Sequence, residues 1–471
     1  MDESKRKVQV SENRGGFKKE IGVFGGVSII GGIMIGSGIF YIGSIVLQRT
    51  NMSLGAALLC WIIGGVVSLL GGMCFAELGA SDPLAGGKTI YLSKAFHPFM
   101  GFADGFCSWL VSNPASIAGV AIALPTALLS FFDISDFAIK VIAIALIVLL
   151  SIFNCFGVKQ GSIFQNITMV AKVVPLFIII IGALIFGRET PDLSLAITGA
   201  GGETLGIGSM LGMIGFAVVA SLWAYEGWVN LNLVAEEIKN PKRNLPLAII
   251  IAIGGITLLY TLFNFSIYRM IPYDEIVTRI NAGDLYLGTE VVNRLMGTFA
   301  GAFVTLAMVL AMLNCLNGMI MAFPRTYYAM GRSGHFFKSQ GTLHPKYGTP
   351  IVAIFWQAVV AIIMVIFQSL SQLTAMVVFV GMMFNLATVI AVLRYRKLFP
   401  DMKRPYKVPG GAVTVAITSL LFTALAINSL LEDPVSAIIG FGALAISGVL
   451  YYVFGKRNQK QEETAKSNSA K

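Results

Sequence analysis

Charge is what this chain has least of. Of its 471 residues, 34 are Lys or Arg and 24 are Asp or Glu, 12% in all, against roughly 25% in a soluble domain. With 56% of positions hydrophobic and a mean hydropathy of +0.78, there is too little polar surface to cover a folded soluble protein of this size. Cysteine is scarce and unpaired. Cys60, Cys74, Cys107, Cys155 and Cys315 all sit in apolar runs with no CxxC, which excludes a disulfide scaffold and reads as packed small hydrophobes. The three histidines, His97, His335 and His344, lie far apart, and no HExxH, Walker-type glycine loop or GxSxG occurs. No metal, no cofactor and no catalytic constellation is expected. Nor does the start carry the ordered regions of a cleaved signal peptide.

What is present is apolar sequence in long blocks. At about 20 residues per crossing plus a loop, the chain has room for about 12 spans. Apolar windows fall at 22–48, 53–79, 98–130, 137–157, 162–187, 207–234, 245–272, 297–330, 350–368, 372–394, 411–431 and 434–454. The expected class is therefore an all-α polytopic membrane protein of twelve helices. The net charge of +10 is distributed in blocks. Lys5, Arg6, Lys7, Arg14, Lys18 and Lys19 precede the first window, and Lys456, Arg457, Lys460, Lys466 and Lys471 follow the last. The even-numbered connections hold Lys88, Lys94, Lys159, Lys239, Lys242, Arg243, Arg332, Lys338, Lys346 and the run from Arg394 to Lys407, while the odd ones hold little beyond Arg49, Arg188, Arg279 and Arg294. This asymmetry predicts a cell-membrane protein with both termini in the cytoplasm. The bilayer, not a nucleic acid, is the partner that these cations face. The tails 1–16 and 456–471 read as disordered.

Two windows are abnormal as helices. The first has seven glycines between Gly25 and Gly43, among them Gly36-Ser37-Gly38, each costing about 1 kcal/mol relative to alanine in a helix. The sixth carries Gly212, Gly215 and Gly227 and a carboxylate, Glu226. The two lie five spans apart, an odd number, so a unit starting at the sixth enters the membrane from the opposite face. Interrupted spans at matching positions of inverted halves point to a transporter with its site at the midplane. Close helix packing is the other use of such glycines. At such breaks, free N–H groups attract an anion and free carbonyls a cation. The N–H groups of Ser37, Gly38 and Ile39 suit a carboxylate, and the carbonyls of Met34, Trp223 and Ala224 suit an ammonium, so the pair of breaks suits a zwitterion. Several ionisable residues fall inside spans, where a charge costs at least about 2.5–3.5 kcal/mol, among them Lys172, Glu226, Glu77 and Asp104. The last two, near span ends, read as structural anchors.

The residues also carry a resemblance. Phe17-Lys-Lys-Glu-Ile-Gly22 with Ile35-Gly-Ser-Gly-Ile-Phe40 resembles the opening of transporters of the amino acid, polyamine and organocation superfamily. Trp223-Ala-Tyr-Glu-Gly-Trp228, Glu236-Glu237 and Asn240-Pro-Lys-Arg-Asn-Leu-Pro246 are similar to its L-type amino acid transporter branch. Phe75-Ala-Glu-Leu78, Gly331-Arg-Ser-Gly-His335, His344-Pro-Lys346 and Arg404-Pro-Tyr-Lys-Val-Pro409 extend the likeness in order over about 17–455. The resemblance implies the leucine-transporter fold: two inverted five-helix repeats, 21–206 and 207–396, with helices 1 and 6 unwound, two further helices over 397–455, and tails 1–20 and 456–471. It implies that Lys172 stands in for a sodium ion against the unwound helix 1, that Tyr260 works with it, that Trp223 gates the substrate, and that Glu226 touches the substrate side chain or orders helix 6. The expected activity is sodium-independent exchange of neutral amino acids by alternating access. The alternatives are a proton-coupled permease, with Lys172 or Glu226 carrying the proton, and an exchanger that also accepts cationic amino acids. Animal members of the branch attach a heavy-chain glycoprotein through a cysteine between spans three and four; residues 131–136 contain none, so no such subunit is expected. The rings of charge of a channel and the nucleophile of an enzyme are both missing.

Overall fold

Within a bilayer no water is at hand to satisfy a peptide group, so apolar runs must fold as helices that bond their own backbone. The computed structural model describes residues 17–36, 38–127, 134–197, 206–332, 336–367, 370–432 and 438–453, and the described residues are almost wholly helical. The tails read as disordered, and Ser37, lie outside them.

The first window is two helices, α1 (Val23–Met34) and α2 (Gly38–Arg49), bent by 52° to one another. There follow α3 (Leu54–Ser81), α4 (Lys88–Ala95), α5 (Pro98–Cys107) and α6 (Asn113–Ala127), then α7 (Asp136–Cys155) and α8 (Val158–Phe186). A π-helical turn, Ser108–Ser112, joins α5 to α6. The sixth window is α9 (Ile207–Ala224) followed by a 3-10 stretch, Trp228–Glu237, and α10 (Pro241–Met270) comes next. Short amphipathic helices α11 (Tyr273–Asn281) and α12 (Leu287–Met296) precede α13 (Ala300–Ala322) and α14 (Pro324–Arg332). The chain ends in α15 (Ile351–Phe367), α16 (Leu370–Leu398), α17 (Ala412–Glu432) and α18 (Ile438–Val453). Among the described residues seven helical segments are long and apolar enough to cross a membrane, and eight with the bent pair counted as one.

α1 is the axis of the molecule, packed on α8, α10 and α13. Its glycines permit this approach: a Cβ at Gly32 would lie 1.7 Å from Nε2 of Gln165, and one at Gly26 would lie 2.8 Å from Cβ of Ala248. Both uses of glycine therefore occur in one helix, close packing at Gly26 and Gly32 and interruption at Gly36. In the sixth window the sequence reading needs correction. Gly212 and Gly215 lie inside an unbroken α9, where a side chain would meet nothing within 4 Å; only Gly227 marks a break. Large apolar side chains such as Leu149, Ile181, Phe186, Leu211, Leu258 and Phe367 are exposed on the outer helices, a surface that suits lipid.

Ion pairs tie the face rich in Lys and Arg together. Glu77 accepts two bonds from Arg396, at 2.8 and 2.6 Å, and one from the N–H of Val408 at 2.7 Å, which fastens α3 to the end of α16 and to the loop that leads into α17. Buried Arg325 pairs with buried Glu237 at 2.7 and 3.2 Å. The Glu237 carbonyl accepts the N–H groups of Glu20 and Ile21, and Ile21 bridges Ile238, so the entry to α1 is strapped to the end of the 3-10 stretch. Between α11 and α12, Arg294 and Arg279 bind Glu275 and hold its carboxyl below the usual range, joining the two helices.

Candidate functional site

A helix that stops inside the protein leaves its last carbonyls without partners, and the end of α1 shows where they turn. Gly31, Gly32 and Ile35 offer their carbonyl oxygens to Nζ of Lys172 on α8, at 2.9, 2.9 and 2.7 Å. The Ile33 carbonyl accepts the thiol of Cys315, on α13, at 3.1 Å. The Met34 carbonyl accepts the Gly36 N–H at 2.9 Å and the hydroxyl of Tyr260, on α10, at 2.7 Å. Every carbonyl from Gly31 to Ile35 thus has a donor. An ammonium has three N–H donors, and the fully buried Lys172 spends all three on carbonyls. Among the described residues no carboxylate pairs with it, so the negative end of the α1 dipole is its counter-charge.

The second break meets the first. α9 stops at Ala224, and Gly227 takes φ +140°, in the region that favours glycine. The Tyr260 hydroxyl reaches the Ala224 carbonyl at 3.0 Å as well as that of Met34. Having one proton, it serves one carbonyl at a time and sits as a hinge pin between the two helix ends. A Cβ at Gly227 would lie 2.8 Å from Cγ2 of Ile33 and 3.0 Å from Cγ of Met34, and one at Gly38 would lie 3.3 Å from Cβ of Ala224. Gly227→Ala therefore forces a disfavoured φ and a clash at once, and transport measured per inserted molecule should fall to background. Gly254→Ala, where a Cβ meets nothing within 4 Å, should transport normally. Activity in Gly227→Ala equal to that control would show that the two breaks do not depend on this contact.

Lys172, Tyr260, Met34, Ala224 and Gly38 are thus assembled at one point, with Ile39 buried beside it at the start of α2. The Met34 carbonyl already accepts two hydrogen bonds, and that of Trp223 accepts the Tyr225 N–H and, at 3.2 Å, the Glu226 N–H; the Ala224 carbonyl accepts the Tyr260 hydroxyl, which leaves it a lone pair. Ser37 lies outside the described residues. Trp223 is half-buried. Glu226 lines a cavity of about 40 Å³ that also touches Ile33 of α1, with walls that include Lys88, Ser108, Ser112, Asn113 and Asn230, and not Trp223. Sequence reasoning missed Cys315, taken for packing, and Lys88, taken for a loop cation. It also missed the π turn, a departure that often marks functional sites and that leaves no periodic signal. Asp104, read as an anchor at a span end, is fully buried and accepts the Thr89 hydroxyl at 2.6 Å.

A family model described as amino acid permease matches residues 21–455. The chain is 29% identical to the serine/threonine exchanger SteT of Bacillus subtilis (strain 168), over 94% of this chain and 98% of that one. It is 31% identical to the human b(0,+)-type amino acid transporter 1, over 96% and 91% of the two chains, and 31% identical to the human cystine/glutamate transporter, over 93% and 85%.

Proposed function

The chain belongs to the amino acid permease family, a multi-pass membrane transporter of amino acids, and from that premise we propose that it exchanges neutral amino acids by alternating access without sodium. The observation that carries this reading is the triple contact of Lys172 with Gly31, Gly32 and Ile35. A carrier coupled to an ion fills such carbonyls only when the ion binds. Here a covalently held ammonium fills them, which leaves no place among them for a sodium ion. The substrate itself is then the ligand that completes the site, with its carboxylate toward the N–H groups of Ser37, Gly38 and Ile39 and its ammonium toward the carbonyls of Met34, Trp223 and Ala224. Trp223 gates it, and Glu226 sits toward its side chain.

The finer architecture is part of the same proposal. The bent pair α1–α2, the seven long apolar segments, and α15, α16, α17 and α18 are together consistent with twelve crossings in the leucine-transporter arrangement, with repeats over 21–206 and 207–396 and both termini in the cytoplasm. Residues 131–136 hold no cysteine, which favours a transporter that works without a glycoprotein partner; residues 131–133 are outside the described part of the structure. In proteoliposomes, vesicles preloaded with unlabelled serine, threonine or alanine should take up labelled amino acid at least several-fold faster than empty ones, equally in sodium and in choline. Equal uptake into loaded and empty vesicles would refute exchange. Acceleration by an inward proton gradient would favour the proton-coupled reading, with Lys172 or Glu226 carrying the proton.

A further inference from the structure

We propose that Lys88 is an internal counter-ion that sets which side-chain charges the transporter accepts, by competing with the substrate for Glu226. The inference rests on the exchanger reading above and extends it to a residue outside the two breaks.

Lys88 opens α4 directly after Gly86 and Gly87, whose φ values of +102° and +51° are both left-handed. A Cβ at Gly87 would lie 3.1 Å from the backbone carbon of Asn232, so the backbone that carries Lys88 is clamped in place. The ammonium is not clamped. Its partner is Asp104, at 3.3 Å, longer than the 2.7–2.9 Å of a charge-assisted bond, and that oxygen of Asp104 has no hydrogen bond. Asp104 itself is fixed, with no exposed surface and its other oxygen held by Thr89. Lys88 is therefore a tethered cation on a flexible four-carbon stem.

Across the cavity stands Glu226, to which no side chain hydrogen-bonds or ion-pairs among the described residues. Lys88 and Glu226 line the same space, and Lys88 supplies positive potential at the Glu226 carboxylate. The rest of the wall is uncharged: Ser108 and Ser112 of the π turn with Asn113 and Asn230 supply polar groups, and Ile33, Leu233, Met319 and Phe323 apolar ones. One ammonium thus serves two carboxylates, and the cavity carries one uncompensated negative charge when both are ionised. A neutral amino acid leaves that balance untouched. A cationic side chain would neutralise it, but only by taking Glu226 while Lys88 remains on Asp104.

Two substitutions should then act in opposite directions. Lys88→Gln leaves both carboxylates uncompensated, so inhibition of labelled alanine exchange by lysine and arginine should strengthen about tenfold relative to inhibition by unlabelled alanine. Asp104→Asn releases Lys88 to Glu226, and the same ratio should fall about tenfold. Lys88→Arg keeps the charge and should stay near the parent. In the double variant Lys88→Gln, Glu226→Gln the gain should vanish, because the carboxylate that Lys88 competes for is gone. An unchanged lysine-to-alanine ratio in both Lys88→Gln and Asp104→Asn, with alanine exchange intact, overturns this inference alone. Absence of alanine exchange in the parent vesicles would instead overturn the exchanger reading. Should Asp104→Asn fail to insert, the Lys88→Gln arm and its double variant decide the matter.

Discussion

Lys172→Ala should abolish amino acid exchange while the protein still reaches the membrane. The substitution strips the donor from the carbonyls of Gly32 and Ile35, each worth about 1–3 kcal/mol when buried and unsatisfied, while Gly31 keeps the N–H of Ile35. The end of α1 then relaxes toward whatever geometry can serve Gly32 and Ile35, and the substrate face of the break moves with it. A shift of only about 3 kcal/mol in the competent conformation already corresponds to a loss of roughly two orders of magnitude in rate. Arginine is no remedy, since a planar guanidinium does not reproduce three convergent bonds in a site with no exposed surface. The measurement is counterflow of labelled substrate per molecule of reconstituted protein, with insertion checked by surface labelling. Parent kinetics in Lys172→Ala would leave the lysine a packing residue and remove the main support for ion-independent exchange.

Arg325→Met should cost the molecule more stability than any other single change on the basic face. Arg325 and Glu237 are both buried and share two hydrogen bonds, and Arg325 also donates to the Met321 carbonyl. Removing one member of such a pair leaves a buried charge without compensation, at about 3–5 kcal/mol. The damage should spread along the strap. Arg325 lies over the ring of Phe17 at 5.4 Å, and Phe17 meets Tyr328 at 4.9 Å, so the segment leading into α1 loses its seat. A lower unfolding temperature in detergent and faster tryptic cleavage at Lys18 and Lys19 are expected. The double variant Glu237→Gln, Arg325→Met should recover part of the loss, because it removes the stranded charge. An unchanged unfolding temperature in Arg325→Met would mean that water already reaches Glu237.

Composition alone was enough for the class of protein, for a physical reason: a chain with so few charges has no soluble surface to present, and each apolar run of sufficient length must satisfy its own backbone. The breaks were legible because glycine is costly in a helix, and Gly36-Ser37-Gly38 and Gly227 stand where an apolar run should continue. Lys172 was legible because a lone cation in a span demands a partner, and the open carbonyls of a broken helix are the nearest candidates. The same logic misled at Gly212 and Gly215, where the glycines are simply tolerated within α9.

What sequence could not decide is which side chains converge. Tyr260 sits 226 residues from Met34 and 36 from Ala224 along the chain, and only the packing of α10 across both helix ends makes it the pin between them. Cys315 looks like any other apolar-run cysteine until α13 is laid against α1. Lys88 reads as one more basic loop residue, because the charge rule that places it near the membrane edge is blind to the turn at Gly86-Gly87 that aims it inward. Hydrophobicity and backbone propensity are properties of a segment, and a segment declares them by itself. A site is a property of distances between segments, and those were set by the glycine-lined contacts of α1 with α8, α10 and α13.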